Sequence, residues 1–221
     1  FVFAMYIYAV NLDFGNGIPI DKVEASRYYK MAADNGQVDS MFNYSIKLKH
    51  GEGIPVNLQE SAYYCKRAAN RGEPRAMNNY GMNLLFGTGV PVNKVKAAKY
   101  FKKAAAGGRI IGMLNYARML YHGDGIPVDK KKALKYYKMA IKMNDLNSIY
   151  EYAKLFYKGH EYSVDKLEAA RIYKIAANSG HVKSIFKYGL MLLTGDGIQT
   201  DKIEAVKYLK IASEKGNLDA K

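Results

Sequence analysis

Apolar and small residues recur along this chain at intervals of three and four positions, the spacing of one face of an α-helix. In the stretch RAMNNYGMNLLF this face consists of Met77, Tyr80, Gly81 and Leu84. In the stretch that begins after Asp21 it consists of Ala25, Tyr28, Tyr29, Ala32 and Ala33. Polar residues dominate the positions between them, so each stretch predicts an amphipathic helix with one buried face.

A segment with two glycines separates such helices and returns every 36 residues. Its copies begin at Gly15, Gly51, Gly87, Gly123, Gly159 and Gly195. Self-similarity at a period of this length is the signature of a stacked repeat architecture. The chain is therefore divided into six helix-turn-helix repeats, at about 1–37, 38–73, 74–109, 110–145, 146–181 and 182–217.

The glycines of this segment raise the possibility of a phosphate-binding loop, but the local chemistry predicts a turn between two helices. A P-loop is a single site that continues with Gly-Lys-Ser/Thr, whereas this segment recurs and lacks that continuation. Its first glycine suits a left-handed helix C-cap, and its proline stops a helix. The next helix is expected to start at an N-cap residue, which is Asp21, Asn57, Asn93, Asp129, Asp165 or Asp201.

Further capping signals mark the ends of the second helices. Glutamates three positions after the N-cap predict capping boxes at Glu24, Glu60, Glu168 and Glu204. The second helices are expected to end at Gly36, Gly72, Gly108, Gly180 and Gly216, with Asn144 in the fourth repeat. The pattern thus predicts twelve helices of about a dozen residues each.

Two columns on the first helices are expected to hold the repeats together. One is the tyrosine column Tyr8, Tyr44, Tyr80, Tyr116, Tyr152 and Tyr188. Beside it runs the small-residue column Ala9, Ser45, Gly81, Ala117, Ala153 and Gly189. Small residues let neighbouring helices approach closely while the aromatic rings occupy the space between them. Base stacking on the tyrosines is the alternative interpretation, and core packing is favoured over it.

No single helix pair can bury its apolar face, so the repeats are predicted to stack into an all-α solenoid with a curved inner face. We expect one solenoid domain over residues 1–221. The chain begins inside a first helix and closes with NLDAK, the start of another repeat, so we expect a segment of a longer chain. The opening FVFAMYIYAV lacks the features of a signal peptide, and no apolar run reaches membrane-spanning length.

The third repeat resembles the unit of the Sel-one-like repeat family, which is related to the tetratricopeptide repeats. The matching positions are Ala76, Tyr80, Gly81, Gly87 to Val90, Asn93, Lys96, Ala97, Tyr100, Lys102 to Ala105 and Gly108. Six in-phase copies extend the resemblance over essentially the whole chain, which implies an α-solenoid. Tyr80 replaces a leucine of the family pattern, and the loop at Gly159 lacks the second glycine and the proline. Pentatricopeptide repeats have a similar period but lack the Gly-x-Gly turn.

The resemblance implies that a protein or peptide partner docks on the concave surface, which the first helices line. Opposite the buried stripe, one column consists of Asn43, Asn79, Asn115, Glu151 and Lys187. A second consists of Ile46, Met82, Arg118, Lys154 and Leu190. Asparagines at this site in tetratricopeptide repeats hold an extended peptide, because an amide both donates and accepts. The alternative is that they support helix packing, and both interpretations stay open. The change from neutral to charged residues indicates a ligand with unlike ends.

The charge of the chain adds a second candidate surface, since the formal net charge is +14 and the pI is near 9.5. The outer face of the second helices carries one column of cations at Arg27, Lys99, Lys135, Arg171 and Lys207. Another lies three residues on, at Lys30, Lys66, Lys102, Lys138, Lys174 and Lys210. A solvated face is the favoured interpretation, and an acidic protein surface is the alternative partner. Nucleic acid is not favoured, because no reading motif accompanies the lysines.

Catalysis finds little support in the sequence. His50 and His122 occupy equivalent positions two repeats apart, which is too far for one metal ion. The segment at His160 lacks the second histidine of a zinc protease motif. Cys65 is the only cysteine and lies on the buried side of a second helix, which favours a structural thiol. Relatives associated with β-lactam hydrolysis carry paired cysteines. We therefore predict a protein that is not an enzyme and has no metal or cofactor.

The leading hypothesis is a non-catalytic interaction scaffold or adaptor that binds a peptide or protein segment on its first helices. The resemblance implies, as an alternative, an adaptor in endoplasmic-reticulum-associated degradation. The single glycosylation sequon, NYS at Asn43, falls within a helix on the proposed docking surface, a poor place for a sugar. This favours the cytoplasm over the lumen of the endoplasmic reticulum.

Overall fold

The computed structural model of the chain describes residues 1–143, 145–158 and 164–217. Three sequence-based predictions lie outside these residues: the cap at Asn144, the altered loop that starts at Gly159, and the environment of His160. The chain divides into two compact units, Phe1–Asp129 and Lys130–Lys221.

All regular structure in the described residues is helical, and strands are absent from them. The first compact unit contains α1 (Val2–Phe14), α2 (Lys22–Asp34), α3 (Val38–His50), α4 (Leu58–Asn70), α5 (Pro74–Phe86), α6 (Lys94–Ala106) and α7 (Ile110–His122). The second contains α8 (Lys130–Lys142), α9 (Leu146–Lys158), α10 (Lys166–Asn178), α11 (Val182–Thr194) and α12 (Lys202–Glu214). Each helix has 13 residues, which confirms the predicted all-α class and the six helical pairs. Among the described helices, none is long and apolar enough to cross a bilayer.

The predicted N-caps of the second helices are confirmed wherever the structure gives their geometry. The carboxylate of Asp21 accepts a hydrogen bond from the backbone N–H of Glu24 at 2.9 Å. The equivalent bond forms at Asn57, Asn93, Asp165 and Asp201. These bonds satisfy N–H groups that a helix start leaves without a partner.

The second half of the predicted capping boxes is replaced by a different bond. The backbone N–H of Asp21 donates to the carbonyl oxygen of Leu12 near the end of α1, at 2.9 Å, rather than to Glu24. Carbonyl groups in the last turn of a helix lack internal donors, so this bond satisfies one and joins the two helices of the repeat. Glu24 instead accepts from Arg27 at 2.7 Å.

The two glycines of the recurring turn have different structural roles. The first, such as Gly51 with φ +74°, adopts the predicted left-handed C-cap. The second allows the turn to lie directly on the start of the preceding second helix, because a Cβ on Gly89 would overlap the carbonyl oxygen of Leu58. In the first repeat, by contrast, a Cβ added to Gly17 would meet no atom within 4 Å. The second glycine therefore serves packing between successive repeats as well as the turn.

The tyrosine and small-residue columns form the predicted core. Tyr44 packs edge-on against Tyr64 with ring centroids 4.9 Å apart, an aromatic geometry that adds to the burial of the rings. The same contact joins Tyr8 to Tyr28, Tyr80 to Tyr100 and Tyr188 to Tyr208. A Cβ on Gly81 would lie 2.6 Å from Phe101, so the small column permits close helix approach as predicted. Two members of the tyrosine column are less buried: Tyr152 is half-buried, and 42% of Tyr8 is exposed.

Candidate partner-binding surfaces

The two predicted columns of the first helices are called the first-helix face. It comprises Asn43, Asn79, Asn115, Glu151, Lys187, Ile46, Met82, Arg118, Lys154 and Leu190. Arg118 is exposed, and the other nine side chains are half-buried between neighbouring helices. The face is therefore a set of recessed positions rather than an open polar surface.

The three asparagines of the first-helix face have different surroundings. Asn115 donates to the side-chain oxygen of Asn78 in the preceding repeat at 2.9 Å, so its amide joins α7 to α5. Asn43 lies against the hydroxyl of the buried Tyr29. The side-chain oxygen of Asn79 accepts one long hydrogen bond, 3.5 Å from the side-chain amide of Asn78, within the part of the chain that the structure describes. Asn79 thus keeps most of its hydrogen-bonding capacity, while Asn115 contributes to packing.

Charged residues of the first-helix face in the second compact unit have intramolecular partners. Lys154 pairs with Glu151 at 3.0 Å, one helical turn apart. The Lys187 ammonium lies 5.7 Å from the centre of the Tyr157 ring, within the range of a cation–π contact. The charges of Glu151 and Lys154 cancel locally. On the first-helix face of this unit, Lys187 is therefore the charge that a ligand would meet.

A pocket opens on the first-helix face between the third and fourth repeats. Its volume is about 140 Å³, and Asn115 and Arg118 contribute to its lining. Leu85, Phe101 and Met119 supply apolar surface. Another lining residue is Asp124 of the following turn, whose carboxylate is paired with Lys94 at 2.6 Å.

The second compact unit has a pocket at the equivalent positions two repeats further along, with a volume of about 360 Å³. Lys187, Leu190 and Met191 take the places of Asn115, Arg118 and Met119. The lining residue Asp196 corresponds to Asp124, and its carboxylate accepts from Lys166 at 2.5 Å and from the Tyr157 hydroxyl at 2.6 Å. These bonds, the one from Lys166 above all, lower the pKa of the Asp196 carboxyl. Equivalent positions of the repeat therefore line a pocket at two interfaces.

Between the first two repeats, an internal ion cluster lies at the equivalent position. Lys47 takes the position of Met119, and its ammonium donates to Asp13 at 2.6 Å and to Glu52 at 2.7 Å. Lys22 donates to the same Asp13 oxygen at 2.6 Å. Burial alone would raise the pKa of the Asp13 carboxyl, but the hydrogen bonds from the two lysines outweigh burial and hold it below its ordinary value. This ion cluster was not predicted from the sequence pattern.

Two arginines on the first helices of the first compact unit differ in their partners. Arg75 donates to Asp39 and Glu73, each at 2.7 Å, and its guanidinium lies 4.6 Å from the Phe42 ring centre. The nearest acceptor recorded for Arg118 among the described residues is the neutral side-chain oxygen of Asn115 at 3.4 Å. Arg118 therefore presents a positive charge that no described carboxylate neutralises.

The predicted lysine columns lie on the solvent side of the second helices. The lysine ridge is defined as Lys30, Lys66, Lys99, Lys102, Lys135, Lys138, Lys174 and Lys210. All but Lys30 are exposed, and Lys30 is half-buried in an ion pair with Asp34 at 2.9 Å. The charge is uneven along the chain, because α6 and α8 contain lysines but no acidic residue, and Lys96 and Lys132 replace the glutamate of the other second helices.

The residues that were candidates for catalysis lie in surroundings that do not favour catalytic chemistry. Cys65 is 2% exposed, and burial raises the pKa of its thiol to about 12. A thiol of this kind stays protonated at neutral pH and is a poor nucleophile. Among the described residues, no cluster of three or more His, Cys, Asp and Glu side chains could hold a metal ion. His50 and His122 both lie exposed at the ends of their helices.

The repeat itself is shared with known proteins. The family model of the Sel1 repeat matches residues 2–37, 38–73, 74–108, 110–145, 146–181 and 182–217. The chain belongs to the Sel1 repeat family. The family predicted from the sequence is therefore confirmed, as is the α-solenoid class. Sel1 repeat proteins generally act as protein-interaction scaffolds, and the family is non-catalytic.

Solved structures with the same fold come from several bacteria. The protective antigen c5321 of uropathogenic Escherichia coli has a TM-score of 0.89 and 24% identity, over 100% of this chain and 47% of that one. A Sel1 repeat protein from Oxalobacter formigenes has a TM-score of 0.83 and 23% identity, over 99% and 63%. The immunity protein Pa5087 of Pseudomonas aeruginosa has a TM-score of 0.56 and 16% identity, over 96% and 81%.

This Sel1 repeat chain spans about half the length of c5321 and less than two thirds of the Oxalobacter formigenes protein. None of the curated proteins matches it in sequence. Because the sequence identity to these solved structures is below 25%, the similarity shows the fold alone.

Proposed function

We propose that this Sel1 repeat protein is a non-catalytic scaffold that binds an extended segment of a partner protein on its first-helix face. The recurrence of one pocket at equivalent positions of two repeat interfaces is the observation that carries the proposal. Recessed sites with apolar walls and a few polar groups are typical of ligand-binding surfaces. A degradation adaptor, as the family resemblance implies, would use the same face.

The available amide of Asn79 supports an extended partner in particular. An extended peptide exposes backbone N–H and C=O groups, and one side-chain amide can bind both kinds of group. Asn79 is half-buried on α5, one helical turn before Met82, and its side-chain oxygen accepts one long internal bond among the described residues. A backbone held by Asn79 would bring the next side chains of the partner towards apolar surface.

The test compares two asparagines after the partner has been recovered by chemical cross-linking from cells that produce the protein. We expect Asn79→Ala to weaken partner binding by about five- to tenfold, as for a contributing interface residue, and to leave thermal stability unchanged. Asn115→Ala should lower stability by about 1 kcal/mol, because it leaves Asn78 without its 2.9 Å partner. Lys102→Ala on the lysine ridge is the control. Unchanged affinity for the Asn79 variant together with a loss for the Lys102 variant would contradict the proposal.

The lysine ridge supports a second candidate, the binding of an acidic partner. The specific observation is α6, where Lys96, Lys99, Lys102 and Lys103 are exposed and the helix has no acidic residue to neutralise them. The second helices of the other repeats, apart from α8, keep a glutamate at their third residue. Binding through the ridge predicts affinity for a polyanion that falls steeply with salt. For duplex DNA, the slope of log affinity against log salt concentration is about −0.9 per phosphate neutralised. Absence of retention on heparin at low salt would remove this candidate.

A further inference from the structure

We infer that the pocket between the third and fourth repeats is a carboxylate-binding subsite, in which Arg118 receives an acidic side chain of the partner protein. The inference rests on the proposed function and assigns a chemical class to what enters the first-helix face. The charges of the pocket, its apolar walls and the equivalent positions of the other repeats support it.

The charge balance of the pocket favours an anion. Asp124 is the only acidic residue that lines it, and Lys94 already pairs with its carboxylate at 2.6 Å. Arg118 is then left with the neutral oxygen of Asn115 at 3.4 Å, in the part of the chain that the structure describes. Asn115 is itself fixed by its bond to Asn78, so its oxygen stays directed at the guanidinium. Carboxylates and phosphates are the anions that a guanidinium binds with two parallel hydrogen bonds.

The interface of the first two repeats shows what happens when the charges at these positions are balanced within the chain. There Asp13 and Glu52 face Lys22 and Lys47, so two acids meet two bases and the space is occupied. At the third interface the position of Lys47 is held by Met119, which brings no charge. One cation remains in excess, and an acid from outside would restore the balance seen in the first interface.

The pocket of the second compact unit repeats this arrangement with a different cation. Its acid, Asp196, is paired with Lys166 and Tyr157, and Lys187 supplies the excess positive charge. Lys187 is at the position of Asn115, and Leu190 is at the position of Arg118. The excess cation is thus retained in both pockets although it stands on a different residue in each.

The walls favour an amino-acid side chain over a phosphate. Leu85, Phe101 and Met119 give the pocket an apolar interior of about 140 Å³, roughly the space of four to five waters. The methylene groups of a glutamate can pack on this surface while its carboxylate bonds Arg118. A phosphodiester has no apolar stem, and it is better matched by the exposed lysines of α6.

The test uses the full chain labelled with nitrogen-15 and the peptide acetyl-Leu-Glu-Leu-amide. We expect saturable shifts of the Arg118 side-chain Nε–H signal, and binding of acetyl-Leu-Gln-Leu-amide that is weaker by about tenfold or more. Arg118→Gln should reduce the affinity for the glutamate peptide by a similar factor. Lys102→Gln removes the same charge from the lysine ridge and should leave the affinity unchanged.

Three results would overturn the subsite. They are equal binding of the two peptides, equal losses in the Arg118 and Lys102 variants, and no saturable shift at all. Displacement of the glutamate peptide by a thymidine decamer, in the wild type and not in Arg118→Gln, would also overturn it, because the pocket would then recognise phosphate. Partner binding that still depends on Asn79 in any of these cases would show that the first-helix face stands and only the carboxylate assignment fails.

Discussion

Lys47 and Asp13 form a 2.6 Å ion pair across the interface of the first two repeats, although only 5% and 4% of their surfaces are exposed. A buried ion pair is retained at a cost in desolvation, and the cost is offset only by close geometry and further hydrogen bonds. Here Glu52 and Lys22 supply those bonds. The pair joins α1 to α3 across the repeat interface, and each partner depends on the other.

Removing one member of this pair should cost more stability than removing both. Lys47→Met leaves the buried Asp13 carboxylate with Lys22 as its remaining charged partner, and we expect a loss of about 3 kcal/mol in urea unfolding. The double variant Asp13→Leu/Lys47→Met installs the residues that stand at the equivalent positions Leu85 and Met119, and it should recover most of that loss. Additive losses in the double variant would contradict the coupling.

The same pair predicts how stability responds to acid. The pKa of Asp13 is lower in the folded protein than in the unfolded chain, so its contribution is present above the unfolded pKa of about 3.9. It is lost as the pH falls through the folded value, because the unfolded chain then binds the proton more readily. Between about pH 5 and 2, the wild type should lose more stability than the Asp13→Leu/Lys47→Met variant. Parallel losses in the two proteins would show that Asp13 is not the group responsible.

The second glycine of the turn offers a comparison within one chain. Gly89→Ala places a methyl group on the carbonyl oxygen of Leu58, and a destabilisation above about 4 kcal/mol is expected. Gly17→Ala has the same left-handed backbone, with φ +78°, but meets nothing within 4 Å, so it should cost only the backbone strain of about 1 kcal/mol. Thermal melts of the two variants measure the difference. Equal costs would mean that the glycine serves the turn alone.

The buried thiol gives a prediction about chemistry. Because burial raises the pKa of Cys65 to about 12, the thiolate is scarce at neutral pH. Ellman's reagent should label the protein only at the rate of unfolding, and fully in urea. Rapid stoichiometric labelling of the folded protein would show an accessible thiolate. Cys65 would then be a candidate nucleophile.

Much of the fold was predictable because its signals are local and repeated six times. The Asp21 cap and the left-handed Gly51 depend on neighbouring residues along the chain, and both are confirmed. The Lys47 pair was missed because it forms only when two repeats are stacked. A signal was present all the same, since Lys47 is the one cation in a column that otherwise reads Asn11, Asn83, Met119, Leu155 and Met191.

The candidate site was predictable in position but not in shape. The columns that contain Asn115 and Arg118 follow from helical spacing alone. Which of these amides is available depends on side-chain contacts between repeats, such as the bond from Asn115 to Asn78, that spacing does not specify. The pockets likewise depend on how far Met119 or Lys47 reaches into the same space, which requires coordinates.

The central claim is that the partner lies on the first-helix face rather than on the lysine ridge. A photoreactive amino acid placed at Met82 samples the first-helix face, and one at Lys102 samples the exposed side of α6 in the same compact unit. Irradiation of cells that produce each variant should give a cross-linked partner at Met82 and none at Lys102. A partner captured through Lys102 and not through Met82 would contradict the account.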